Sequence, residues 1–197
     1  MFAIAFTLPV VAITFPAVER DGGLLGGDLI ALWPAYLGYA LGSIVIGLFW
    51  VHHHFSGAIY RTTGHWFLLA TAVFLATIGF IAFPARVLAE HFSDSAARES
   101  ASQYWVVAMA AVTLSWLFKW TVGLRRSQVD SRLDPEYVKR PDRGYWWLGL
   151  LSALAAGLVF LSWEAGLAIS TLVTLYYLRP PETPKYRTES PVVEGED

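Results

Sequence analysis

Cysteine is absent from the 197-residue chain, so it can form no disulfide, thiolate nucleophile, Cys-type zinc site or iron–sulfur cluster. Charge is also scarce: 15% of residues are Asp, Glu, Lys or Arg, against about 25% in an ordinary soluble domain. A net charge of −2 offers no basic surface, so no nucleic-acid partner is expected. Paired carboxylates within apolar runs are missing too, because Glu90, Asp94 and Glu99 gather near one polar segment. The Ser, His and Asp residues suggest no hydrolase triad. No catalytic residues, cofactor or enzyme activity are therefore expected. Without a convincing repeat between the halves, an inverted-repeat transporter is disfavoured.

What is present is apolar: 55% of residues are hydrophobic. They run together at 2–18, 29–51, 66–88, 104–122 and 144–178, and runs of about 20 residues match the hydrocarbon core of a bilayer. Trp and Tyr cluster near the run ends, where amphipathic rings favour the headgroup level. The last run would be about 52 Å long as a single helix, beyond a core of roughly 30 Å. Its one ionisable residue, Glu164, is closely followed by Gly166, so a turn is expected near Trp163–Gly166. The fold class expected is all-α, an integral membrane protein with six transmembrane helices at about 2–18, 28–53, 65–90, 102–123, 144–162 and 164–178.

Basic residues orient these spans. With six of them, Arg61, Lys119, Arg125, Arg126, Arg132, Lys139, Arg140, Arg143, Arg179, Lys185 and Arg187 fall on one side and Arg20, Arg86 and Arg98 on the other. By the positive-inside rule both termini are cytoplasmic. Residues 124–143 read as a polar loop, and 179–197, with its prolines and acidic residues, as a disordered cytoplasmic tail. No positive segment precedes the apolar N-terminus, which reads as a mature helix rather than a signal peptide.

Within the opening helix, Ile4, Thr7, Leu8 and Val11 fall at i, i+3, i+4 and i+7 on one face. In a ring of subunits that face would form a narrow apolar constriction with a hydroxyl layer one turn away. Periodicity alone specifies no channel, since any membrane helix packs apolar residues at this spacing. Trp50-Val51-His52-His53-His54-Phe55 closes the second span. Adjacent helical positions diverge by about 100°, unlike the i, i+4 pairs of helical zinc sites, so interhelical hydrogen bonding or interfacial anchoring is the reading for these histidines and no metal is expected. Phe83-Pro84-Ala85-Arg86 reads as a structural kink with an outward-snorkelling arginine. Thr121-Val122-Gly123 does not continue into the Thr-Val-Gly-Tyr-Gly carbonyl filter, and no span carries a voltage-sensing arginine ladder.

Read together, Phe2-Ala3-Ile4-Ala5-Phe6-Thr7-Leu8, Leu32-Trp33-Pro34, the Trp50–Phe55 motif and the Pro84 region resemble the transmembrane-protein-175 family over roughly residues 2–180. These are potassium-permeable channels of endosomes and lysosomes with prokaryotic relatives. The resemblance implies a six-helix channel unit over 1–178, assembled as a homotetramer in the cell membrane of a prokaryote, its partners being potassium ions and lipid. It further implies a pore lined by the first helix, narrowest at Ile4, with a selectivity-linked layer at Thr7 and lining at Leu8 and Val11. Trp50, His52, His53 and His54 become interhelical polar contacts.

One departure stands at the N-terminus. The family's Arg followed by Phe-Ser-Asp would lie immediately upstream of Phe2, and residues 2–17 make only about 24 Å of helix. A start upstream of Met1 is the expectation. The alternative is a non-conducting membrane scaffold or degenerate channel subunit lacking that motif.

Overall fold

The computed structural model describes residues 29–181 and 183–186, at Gln128 the backbone alone. The first expected span, with Ile4, Thr7, Leu8 and Val11, lies outside the described residues, as does the tail beyond 186. The described chain is helical apart from a small ribbon. Its elements are α1 Trp33–Gly57, β1 Tyr60–Thr62, α2 His65–Phe80, α3 Ala82–His91, α4 Arg98–Arg126, β2 Gln128–Val129, α5 Pro135–Leu158 and α6 Trp163–Tyr176.

Three stretches among the described residues are long and apolar enough to cross a membrane: Trp33–Gly57, His65–His91 and Arg98–Arg126. At 1.5 Å per residue, α1 is about 37 Å long and α4 about 43 Å, both exceeding the hydrocarbon core. The second stretch is broken at Ile81, between α2 and α3. Pro84 supplies the reason: it has no N–H for the carbonyl of Phe80, four residues earlier, so the ladder cannot continue unbroken. There the Ile81 N–H bonds to the Ile78 carbonyl at 3.3 Å, a tighter turn than the α-helix.

The long final run divides as its length demands, although the turn occupies 159–162 rather than the neighbourhood of Gly166. Ser162 caps α6, its Oγ accepting from the Ala165 N–H at 3.2 Å. Glu164 stands in the first turn, where the helix dipole favours negative charge. The polar segment 124–143 is not one loop. Instead α4 runs on to Arg126, and α5 already begins at Pro135. Asp134 caps α5 by accepting from the Glu136 N–H at 3.0 Å, Pro135 takes a position where its missing N–H costs nothing, and Lys139 pairs with Glu136 at 2.9 Å. The helix therefore projects beyond the apolar part that hydropathy detects.

α4 is the central helix, packing against α2, α3, α5 and α6, while α1 packs chiefly on α3. Val106, Val112, Thr113 and Trp116 on α4 are fully enclosed. Several aromatics expected at the headgroup level lie inside instead: Trp105, Trp120, Tyr145 and Tyr177 are buried, whereas Trp33, Trp66 and Trp146 are exposed.

One end of the bundle is tied by backbone hydrogen bonds and is called the β end below. β1 pairs antiparallel with β2, Tyr60 opposite Val129, and the Asp130 N–H bonds to the Ile59 carbonyl at 2.9 Å. The chain beyond α6 joins them, with Leu133 bridged to Tyr186 and the Asp134 N–H donating to the Lys185 carbonyl at 2.9 Å. Arg132 holds the Asp130 carboxyl down at about 2, chiefly by a side-chain hydrogen bond and then by its backbone N–H.

At the far end, α1 and α3 approach backbone to backbone. A Cβ on Gly38 would stand 2.8 Å from the Arg86 Cα, and one on Gly42 would stand 3.3 Å from the Ala82 Cα. Small residues at a membrane helix contact permit this approach, and dispersion then holds it. We expect Gly38→Ala to cost about 1–3 kcal/mol by overpacking, read as a lower thermal midpoint in detergent. Gly157→Ala, whose Cβ would meet nothing within 4 Å, should leave the midpoint in place; equal effects from both would refute the close-approach account.

Candidate functional site

The Trp50–Phe55 motif occupies the last turns of α1, and the helix sends its three histidines in three directions. His52 points into the bundle. Its Nε2 lies 2.9 Å from the Tyr177 carbonyl, which can only accept, so Nε2 carries the hydrogen. In the neutral ring Nδ1 is then an acceptor, and the Tyr145 hydroxyl donates to it at 3.1 Å. One imidazole thereby joins α1 to α5 and to the end of α6. The ring also meets Trp116 edge-on at 6.2 Å and Tyr177 at 5.1 Å. His53 stacks on Phe74 of α2 at 6.0 Å. His54 is exposed and stacks on Trp50, one turn earlier, at 5.8 Å. Since the rings diverge, the motif is three separate contacts rather than one ligand set.

Lys119 is a buried lysine that hydropathy conceals. Counted with the cytoplasmic flank on sequence, it is 1% exposed and lies inside the bundle. Its Nζ donates to Ser56 Oγ at 2.9 Å, and that hydroxyl donates in turn to the His53 carbonyl at 2.8 Å. The same Nζ stands 4.3 Å from the Trp116 ring centroid, with Phe67 and Phe74 at 5.5 and 5.8 Å. Aromatic faces and a hydroxyl thus take the place of a carboxylate around this amine. A signal was available: Lys119 stands three residues after Trp116 and four before Gly123, on a helix face that is otherwise buried.

A third polar link completes the β end. Trp120 Nε1 donates to Asp142 Oδ1 at 2.9 Å, joining α4 to α5 next to Tyr145. Among the described residues no three His, Cys, Asp or Glu side chains come together as metal ligands. The pore residues expected from sequence, Ile4, Thr7, Leu8 and Val11, belong to the part of the chain outside the described residues.

This arrangement, with apolar helices around a few hydrogen-bonded polar side chains, defines a mostly helical membrane protein. The profile of the family described as endosomal/lysosomal potassium channel TMEM175 matches residues 1–82. A protein of Streptomyces collinus named as a potassium channel is 31% identical over 179 residues, covering 90% of this chain and 86% of that one. The crystal structure of a lysosomal potassium-selective channel TMEM175 homologue from Chamaesiphon minutus resembles the fold with a TM-score of 0.69 at 26% identity, over 92% of this chain and 93% of that one. The chain belongs to the TMEM175 family.

Two outcomes follow from the polar core. His52→Ala would leave the Tyr145 hydroxyl and the Tyr177 carbonyl without their partner, at about 1–3 kcal/mol. Combined with Tyr145→Phe, the loss should be smaller than the sum of the two single losses, as a thermal double-mutant cycle would reveal; strict additivity would deny the contact. Lys119→Met should change the thermal midpoint little, because an apolar chain suits the same aromatic walls, whereas Lys119→Glu should prevent a stable fold. Similar midpoints for the two variants would overturn the buried placement.

Proposed function

We propose that the chain is the subunit of a potassium-permeable channel that conducts passively as a homotetramer. The observation carrying this reading is the likeness, over 92% of the chain, to the potassium-selective TMEM175 homologue. The potassium-channel name of the Streptomyces relative points the same way.

The topology we propose has six spans and both termini cytoplasmic. Among the described residues outside the buried core, Arg61, Arg125, Arg126, Arg132, Lys139, Arg140, Arg143, Arg179 and Lys185 belong to the β end, against Arg86 and Arg98 at the far end. The positive-inside rule then turns the β end toward the cytoplasm. A further span at 2–18 would return the N-terminus to that side. The membrane we infer is the plasma membrane of a prokaryote, since both named relatives come from bacteria.

In this reading four first helices surround the pore. Ile4 forms the constriction, whose apolar wall controls ion passage by dewetting, and Thr7 supplies a hydroxyl layer one turn away. Leu8 and Val11 continue the lining. Vesicles containing the purified chain should pass potassium down its gradient, and Ile4→Asn should alter conductance or selectivity by wetting the constriction. Flux unchanged by Ile4→Asn would remove Ile4 from the pore. Stable tetramers with no flux would favour a non-conducting membrane scaffold.

A further inference from the structure

The β end opens into a cavity of about 280 Å³ between α1, α4, α5 and the chain leaving α6. Its lining separates by exposure. Ser56, Ile59 and Tyr145 are buried, whereas Arg140, Tyr176 and Arg179 are exposed and form the rim. Among the described residues, neither Asp nor Glu lines the cavity. The Arg179 guanidinium lies over the Tyr176 ring at 4.9 Å, which holds the cation at the opening.

The depth of the cavity is marked on α5. This helix carries Lys139, Arg140, Asp142 and Arg143 and then, after Gly144 in the cavity wall, turns outward Trp146 and Trp147, which are 45% and 67% exposed. A change from charge to exposed indole within about one turn is the signature of the headgroup layer. Arginine forks match phosphate oxygens in a way that a point charge does not. Basic pockets between membrane helices are suited to anionic headgroups.

We propose that this cavity binds a phosphate-bearing anion at headgroup depth. Arg140 and Arg179 hold the phosphate, the hydroxyls of Tyr137 and Tyr176 border it, and the apolar part of the lining, Phe55, Ile59 and Trp120, receives the attached carbon chain. The site depends on the chain lying in a membrane but not on conduction, so binding and flux fail separately.

The test uses the full chain in zwitterionic detergent, with thermal midpoint as the readout. Short-chain phosphatidylglycerol should raise the midpoint where phosphatidylcholine does not. The Arg140→Gln/Arg179→Gln pair should weaken the apparent affinity by about tenfold or more, while Arg126→Gln, an exposed arginine of the same end outside the cavity, should not. A shift produced equally by glycerol 3-phosphate would assign the site to a soluble phosphate; a shift needing the acyl chains would assign it to lipid. No shift with either ligand would overturn the proposal, as would equal losses in the double variant and Arg126→Gln. Native mass spectrometry of the unsubstituted chain reads the same preference without any variant: selective retention of phosphatidylglycerol over phosphatidylcholine supports the site, and equal retention overturns it.

Discussion

An imidazole buried in a membrane bundle has two nitrogens to satisfy, and His52 satisfies them on two different elements. Lipid supplies no water for an unpaired polar group, so each such partner must come from the protein. The carbonyl it meets is that of Tyr177, the residue that ends α6. Helix ends leave their last carbonyls without intrahelical partners. One ring therefore relieves a C-terminal orphan on α6 and receives the Tyr145 hydroxyl of α5 while rooted in α1. These three helices cannot shift independently at the β end without stranding a polar atom. The β1–β2 ribbon and the bonded segment at Lys185 close the same end outside the apolar layer.

The two ends of the bundle are held by different forces. At the far end Gly38 and Gly42 let α1 touch the α3 backbone, and the cohesion is dispersion between small residues. At the β end the interior is filled by Phe49, Phe74, Trp116 and Tyr145, whose rings meet mostly tilted or edge-on. Such rings leave electron-rich faces turned toward whatever lies between them. Lys119 lies against the rings of Trp116, Phe74 and Phe67, with one Nζ hydrogen bond directed to Ser56. A carboxylate in the same pocket would face the same quadrupoles with the wrong sign. The aromatic composition of the β end and the burial of the Lys119 amine there are thus one feature rather than two.

The spans between Trp33 and Arg126 were legible because lipid demands a long apolar stretch, and length and hydropathy record that demand directly. The divergence of the histidines was also legible, since it follows from helix geometry alone. Which histidine turns inward was not, because that depends on where α5 and α6 pack. Lys119 escaped notice because hydropathy averages over a window, and one lysine near the end of a span is indistinguishable from a flank charge until its face is known. The aromatic residues misled for a related reason: Trp120, Tyr145 and Tyr177 lie near span ends, as belt residues do, but on faces turned inward.

The polar segment 124–143 is the most instructive departure from expectation, because polarity reads as evidence against a helix. Polarity excludes burial in lipid; it does not exclude helix. Asp134, Pro135 and Glu136 form a helix start, and past it the chain turns regularly toward the membrane. Tyr137, Arg140, Pro141, Gly144 and Tyr145 then fall at i, i+3, i+4, i+7 and i+8, which is one face, and all five line the cavity. A loop would have carried the same residues with no fixed register between them. As a helix, the segment sets Arg140 one turn before Gly144 and the indoles that follow, which fixes the height of the cation relative to them. The geometry of that end therefore arises from extending a membrane helix into water.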